Sequence, residues 1–136
     1  MLRRAALGAL VAMILVGGAA AASAKGNGGG GGSKGDPSIA LNQTDAHLGE
    51  TITFTTVFPS STKNPRIQVE CYQNGVLVYG EAGSYDHAFL LGGGASIWLT
   101  NGGPAYCDAD LFDLIWNGNN PQQVVMLSSM GFDAAG

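Results

Sequence analysis

Ser84, Asp86 and His87 bring the three functional groups of a hydrolytic triad into one short stretch. Such a triad needs the imidazole within hydrogen-bond reach of the hydroxyl and the carboxylate behind the imidazole. Successive residues of an extended chain point to opposite faces, so Asp86 and His87 do not converge, and no glycine-rich oxyanion element accompanies them. A polar surface loop is the expected reading. Asp108, Asp110 and Asp113 offer the hard oxygen ligands that Ca²⁺ takes. Asp108 and Asp110 lie two apart and share the outer face of a strand. Their spacing fits no EF-hand loop, so a solvated strand face is expected, with no metal and no cofactor.

The two cysteines, Cys71 and Cys107, can pair in only one way. A zinc centre needs further ligands, and the closely spaced Cys-x-x-Cys of a redox pair is missing. The expectation is therefore a Cys71–Cys107 disulfide. The last chemistry-bearing group is aromatic. Tyr72, Tyr79, Tyr106 and Phe112 are predicted on outer faces of neighbouring strands. Exposed rings anchor interfaces, so these four form the candidate surface for an extracellular protein or a glycan. The alternative is that a loop or local packing covers them. Asn42-Gln43-Thr44 is a glycosylation acceptor sequence and matters only in a eukaryotic host.

Short strands must position these residues. Ser38–Asn42 opens the domain. Leu48–Glu50 turns into Thr51–Phe58, where Ile52, Phe54 and Phe58 alternate with threonines, the pattern of a half-buried strand. Two apolar runs then flank Asn74-Gly75, the favoured type I′ hairpin pair. A two-residue loop sets Gln73 opposite Val76, Tyr72 opposite Leu77 and Cys71 opposite Val78. Ile67, Val69, Cys71, Val76 and Val78 thus share the expected core face, and Glu70, Tyr72, Leu77 and Tyr79 the other. Ala88–Leu91 lies between turn-rich segments, Ser96–Thr100 reads as a short strand, and Gly103–Phe112 is the central one. There Ala105, Cys107, Ala109 and Leu111 share a face. Beyond it Phe112, Leu114 and Trp116 carry the bulk, which predicts a bulge near Asp113. Gln123–Met130 closes the domain, and no stretch holds a helical period over three turns. About seven short strands at this spacing predict an all-β antiparallel sandwich, with a small barrel as the competing architecture.

Compartment follows from the N-terminus. Met1–Arg4 is positive, Ala5–Val16 is apolar apart from Gly8, and Ala22-Ser23-Ala24 is a small-x-small cleavage pattern. Residues 1–24 therefore read as a secretory signal peptide, with a retained membrane anchor as the alternative, since Ala5–Ala22 is at the lower edge of a span. Residues 25–36, rich in glycine, predict a disordered linker that has nothing to bury. Residues 37–136 are left as one domain. Export favours oxidation of the cysteines. Cleavage removes Arg3 and Arg4, leaving four basic residues against ten acidic ones, a net charge near −6. From residue 37 onward only Lys63 and Arg66 are basic. Phosphate backbones and anionic lipid both demand basic clusters, so nucleic acid is excluded, as is membrane binding after signal cleavage.

The succession of strand, hairpin, long turn region, short strand and Pro104-Ala105-Tyr106-Cys107-Asp108-Ala109 resembles bacterial secreted immunoglobulin-like or fibronectin III-like β-sandwich domains. Cys107 corresponds to the cysteine of strand F in that family. The partner cysteine of strand B is missing from Thr51–Phe58, and Cys71 falls instead in the segment matching strand C, beside F in one sheet. Ala105 stands where the family's tyrosine precedes the cysteine, and strand C lacks the core tryptophan. The resemblance implies adhesion, spacing or ligand display as a broad class.

The expected function is a secreted, extracellular, non-catalytic binding or structural module, held periplasmically or at the cell surface if the envelope retains it. Two alternatives stand beside it. One is a small secreted enzyme or inhibitor with its site in the 81–95 or 116–123 loops. The other is a membrane-anchored display domain, if the signal segment is retained.

Overall fold

The computed structural model describes residues 35–136; the predicted signal over 1–24, and all but the end of the predicted linker over 25–36, lie outside them. The described residues form an all-β fold of several sheets, one of them curled into a half-barrel. The strands are β1 (Ser38–Leu41), β2 (Ala46–His47), β3 (Thr51–Ile52), β4 (Phe54–Val57), β5 (Pro65–Gln73), β6 (Val76–Ser84), β7 (Phe89–Leu90), β8 (Ala105–Asn117) and β9 (Asn120–Ala135). The main sheet has five strands in the order β2-β9-β8-β5-β6, and β1–β4 and β3–β7 form two further pairs. All pairings are antiparallel except β2 against β9, which is parallel. That parallel pair departs from the all-antiparallel expectation.

Local chemistry explains the β5–β6 hairpin. Asn74 and Gly75 both take positive φ, 50° and 78°, as a type I′ turn requires. Gln73 faces Val76 and Tyr72 faces Leu77, as expected. The register then slips, and Cys71 faces Tyr79 rather than Val78. One extra residue reverses the faces of everything beyond it. Tyr79 therefore turns inward and is 3% exposed, while Val76, expected in the core, is 57% exposed.

The long β8–β9 hairpin corrects a second expectation. β8 keeps one phase throughout: Ala105, Cys107, Ala109, Leu111 and Asp113 are all buried. The irregularities lie in β9, which skips Leu127 between the Leu111 and Phe112 pairs and Gln122 between the Ile115 and Trp116 pairs. Phe112, Leu114 and Trp116 consequently stay on the outer face, and Asp113 goes inside.

Ser96–Thr100 is a loop, ending in a single 3-10 turn at Thr100–Gly102, and not the expected strand. Its backbone finds other partners. Ile97 N donates to Val78 O at 2.9 Å, and Leu99 N donates to the Gln73 side-chain oxygen at 3.2 Å.

One core lies on the inner side of the main sheet. Ile67, Val69, Cys71, Cys107, Ala109 and Leu111 meet Ile52, Phe89 and Leu91, all fully buried. The Phe54 ring packs edge-on against Phe89 and Phe132, with centroids 5.9 and 6.1 Å apart. The disulfide is part of this core. Cys71 and Cys107 are direct cross-strand partners on β5 and β8, their Cα atoms 4.0 Å apart.

Candidate binding face

The alternation that buries Cys71 and Cys107 turns their neighbours outward. Three cross-strand rows result. Tyr72 pairs with Tyr106, which pairs with Asp133. Glu70 pairs with Asp108, and Asp108 with Gly131. Gln68 pairs with Asp110, and Asp110 with Ser129. Further along, Phe112 pairs with Met126 and Leu114 with Val124. The outer face is thus aromatic at one end, acidic in the middle and apolar towards the tip of the β8–β9 hairpin.

The acidic middle works against itself. Glu70 and Asp108 are directly opposed like charges, an unfavourable cross-strand pair. Polar neighbours offset part of this: the Gln68 amide donates to Glu70 Oε1 at 2.6 Å and the Tyr72 hydroxyl to Glu70 Oε2 at 2.8 Å. Asp110 has its pKa raised, first by partial burial and then by the charges of Asp108 and Glu70. The Tyr106 hydroxyl is pushed up chiefly by the negative charge of Asp108, and that of Tyr72 by its hydrogen bond to Glu70.

Tyr106 is 51% exposed. Its ring lies over Gly131, where an added Cβ would overlap the hydroxyl and come within 2.7 Å of Cζ. The glycine leaves the space in which the ring rests on the sheet. Of the four aromatic residues singled out from the sequence, Tyr72 and Tyr106 come together. Phe112 shares their face beyond the acidic rows. Tyr79 does not: it lies inside, and its hydroxyl donates to Glu81 Oε2 at 2.6 Å.

Sequence reasoning missed Asp133, Leu114, Trp116, Val124 and Met126 as members of this face. The period-two run Phe112, Leu114, Trp116 carries the signal, but on the sequence alone it is indistinguishable from a change of face.

The imagined triad comes apart. Ser84 Oγ donates to Asp86 at 2.6 Å, whereas His87 Nε2 bonds Glu81 Oε1 at 2.8 Å. The Ser84 bond holds the Asp86 carboxyl below its usual range, and the Tyr79 hydroxyl, with help from His87, does the same for Glu81. His87 also packs edge-on against Phe89 with centroids 4.7 Å apart. Its contacts are those of a ring fastening a turn.

The three aspartates separate too. Asp108 and Asp110 face out, and Asp113 faces in, accepting the Asn64 amide at 2.7 Å. Among the described residues no group of three His, Cys, Asp or Glu is arranged to hold a metal, and no helix is long and apolar enough to cross a membrane. The chain matches no protein-family model, no curated protein and no solved structure.

Proposed function

We propose that this chain is an exported, non-catalytic binding module of immunoglobulin-like fold that takes its ligand on the outer face of the main sheet, at Tyr72 and Tyr106. The carrying observation is the direct opposition of these two tyrosines, one of them half exposed, beside the carboxylates of Glu70, Asp108 and Asp133. Aromatic faces take up the apolar side of a sugar ring or an apolar side chain, and carboxylates accept hydrogen bonds from hydroxyls or cations. The partner class is a neutral glycan or a neutral-to-basic extracellular protein, because the acidic middle repels anions.

The immunoglobulin-like reading draws support from strand order. The neighbours β9-β8-β5-β6 run in the order in which a variable-type sheet sets its strands G, F, C and C′. The pairs β1–β4 and β3–β7 are compatible with the A–B and B–E neighbours of that fold. The disulfide within the G-F-C sheet is this chain's own variation. Export draws support from the same disulfide, since such bonds persist in oxidising compartments.

The test is binding of the secreted chain to immobilised neutral glycans and to extracellular proteins of its host, alongside a hydrolase substrate screen. Binding that Tyr106→Ala and Tyr72→Ala each weaken tenfold or more supports the reading. Binding indifferent to both changes, or turnover abolished by His87→Ala, overturns it.

A further inference from the structure

Three Asn-Gly dipeptides punctuate the described residues, Asn74-Gly75, Asn101-Gly102 and Asn117-Gly118. A fourth, Asn27-Gly28, lies outside them. Glycine after asparagine leaves the next amide nitrogen unshielded by a side chain, so that it can reach the asparagine side-chain carbonyl carbon. The three dipeptides are chemically alike, and the fold makes them unlike. Asn74 and Gly75 are the exposed central residues of the β5–β6 turn, with φ of 50° and 78°. Asn117 and Gly118 are exposed at the tip of the β8–β9 hairpin, where Gly118, at φ 66°, is the first residue of the turn. Among the described residues neither Gly75 N nor Gly118 N donates a hydrogen bond, and a Cβ on either glycine would meet nothing within 4 Å. Gly102 differs on both counts. Its N donates to Leu99 O at 3.1 Å, and a Cβ there would come within 2.7 Å of Gln73 Nε2. The buried Gln73 amide also donates to Leu99 O and Gly103 O, each at 2.8 Å, which pins the turn on both sides of Asn101-Gly102.

We propose that Asn74 and Asn117 are sites of spontaneous deamidation in the folded protein, and that Asn101 is spared. Gly75 N or Gly118 N gives up its proton to hydroxide and attacks Cγ of the asparagine before it. The new N–Cγ bond closes a succinimide ring, the Cγ–Nδ2 bond breaks, and ammonia leaves. Water then opens the ring. Addition at Cγ leaves aspartate. Addition at the main-chain carbonyl leaves isoaspartate, whose backbone runs through Cβ and Cγ. The step needs only water and hydroxide, and each event adds a carboxylate that is ionised at neutral pH. Asn101 reacts only when its turn opens, because its glycine nitrogen is engaged and hemmed in. Isoaspartate at Asn74 adds a backbone carbon to a two-residue loop whose length sets the register. It therefore loosens the Gln73–Val76 and Tyr72–Leu77 pairs beside the turn. Isoaspartate at Asn117 disturbs only the last pair of its hairpin, with Asn120. The modification stands independently of what Tyr72 and Tyr106 bind.

The test holds the full chain folded in mildly alkaline buffer at body temperature, beside a second sample kept reduced and unfolded in guanidinium chloride. Peptide mapping at intervals, by mass spectrometry with fragmentation that separates aspartate from isoaspartate, follows each asparagine. In the folded chain Asn74 and Asn117 are expected to give way to both products, while Asn101 reacts at least about tenfold more slowly, as a reaction gated by local opening does. In the unfolded chain all three are expected to react at similar rates. Asn101 keeping pace with the other two in the folded chain overturns the proposal. So does either Asn74 or Asn117 lasting as long as Asn101. The same order of rates in the unfolded chain also overturns it, because the difference then comes from neighbouring residues and not from the fold.

Discussion

The carboxylate of Asp113 accepts the backbone N–H of Asn64 at 2.7 Å and that of Lys63 at 3.0 Å, from a position only 6% exposed. Leu114 N returns a bond to Asn64 O at 3.1 Å. One inward-facing acid thus ties β8 to the loop between β4 and β5, at the place where β8 and β9 leave the body of the fold.

Removing that carboxylate leaves the two amides without their acceptor. Hydrogen bonds to charged groups are worth about 1.5–3 kcal/mol each way they are counted. Asp113→Ala should lower the stability by about 2–3 kcal/mol in urea titration and open the 59–64 loop to proteolysis. Asp113→Asn, which keeps one acceptor oxygen, should lose less. Equal loops and equal midpoints in all three proteins would show that Asp113 holds nothing.

How far the sequence revealed this fold depended on single-residue slips. The Asn74-Gly75 turn was legible because its φ angles admit few other residue pairs. The Cys71–Cys107 pair was legible because two cysteines allow one pairing. The inside of β8 was legible up to Leu111. What could not be read were the skipped residues Val78, Leu127 and Gln122. A period-two pattern states which residues share a face, and not where a partner strand inserts an extra residue. The pattern therefore puts Tyr79 outward, and the irregularity it predicts near Asp113 is present but lies in β9, so that β8 keeps its phase. Ser96–Thr100 has strand-like composition but spends its hydrogen bonds on Val78 and Gln73. The candidate face was half legible: Tyr72, Tyr106, Asp108, Asp110 and Phe112 were found, while Asp133, Val124 and Met126 depend on the β8–β9 register.

The disulfide closes a loop with a sequence separation of 36. In the chain-entropy model a link of that length stabilises by about 4 kcal/mol. Reduction in mild urea should shift the unfolding midpoint by a corresponding amount, and Cys71→Ala/Cys107→Ala should reproduce the shift with a further loss of core packing. A midpoint unmoved by reduction would mean that the sheet alone fixes β5 against β8.

Asp110 gives the acidic rows a signature in pH. Its folded pKa is raised by partial burial and by Asp108 and Glu70, so the folded state binds its proton more tightly than the unfolded chain does. By linkage the fold then loses stability as pH rises from the ordinary carboxylate range through the folded pKa, and the full penalty is present at neutral pH. Asp110→Asn should stabilise the protein at pH 7 by less than about 1 kcal/mol, since the group is screened by water. The gain should vanish once pH falls below about 4, where the unfolded carboxylate is itself protonated. Thermal melts of the two proteins across that range check it. A gain that persists at acid pH would trace to packing and not to charge.

Gly131 separates the shape of the candidate binding face from the stability of the fold. Its φ is not in the left-handed region, so alanine suits the backbone and removes the entropy cost of glycine in a strand. The difficulty is Tyr106, whose ring occupies the space a Cβ would need. That ring is the free end of a half-exposed side chain, so it can swing away where a buried ring could not. Gly131→Ala should therefore leave the melting temperature within a few degrees of wild type while lifting Tyr106 off the sheet. Ligand binding at the Tyr72–Tyr106 pair should fall nearly as far as in Tyr106→Ala. The Tyr106 ring resonances, read by NMR through a pH titration, should report a hydroxyl pKa closer to the ordinary tyrosine value as the ring moves away from Asp108 and Asp133. Unchanged ring resonances together with unchanged binding would mean that Tyr106 does not rely on the glycine for its place. A large loss of stability would mean that the ring is a packed element of the sheet and not a platform held ready for a ligand.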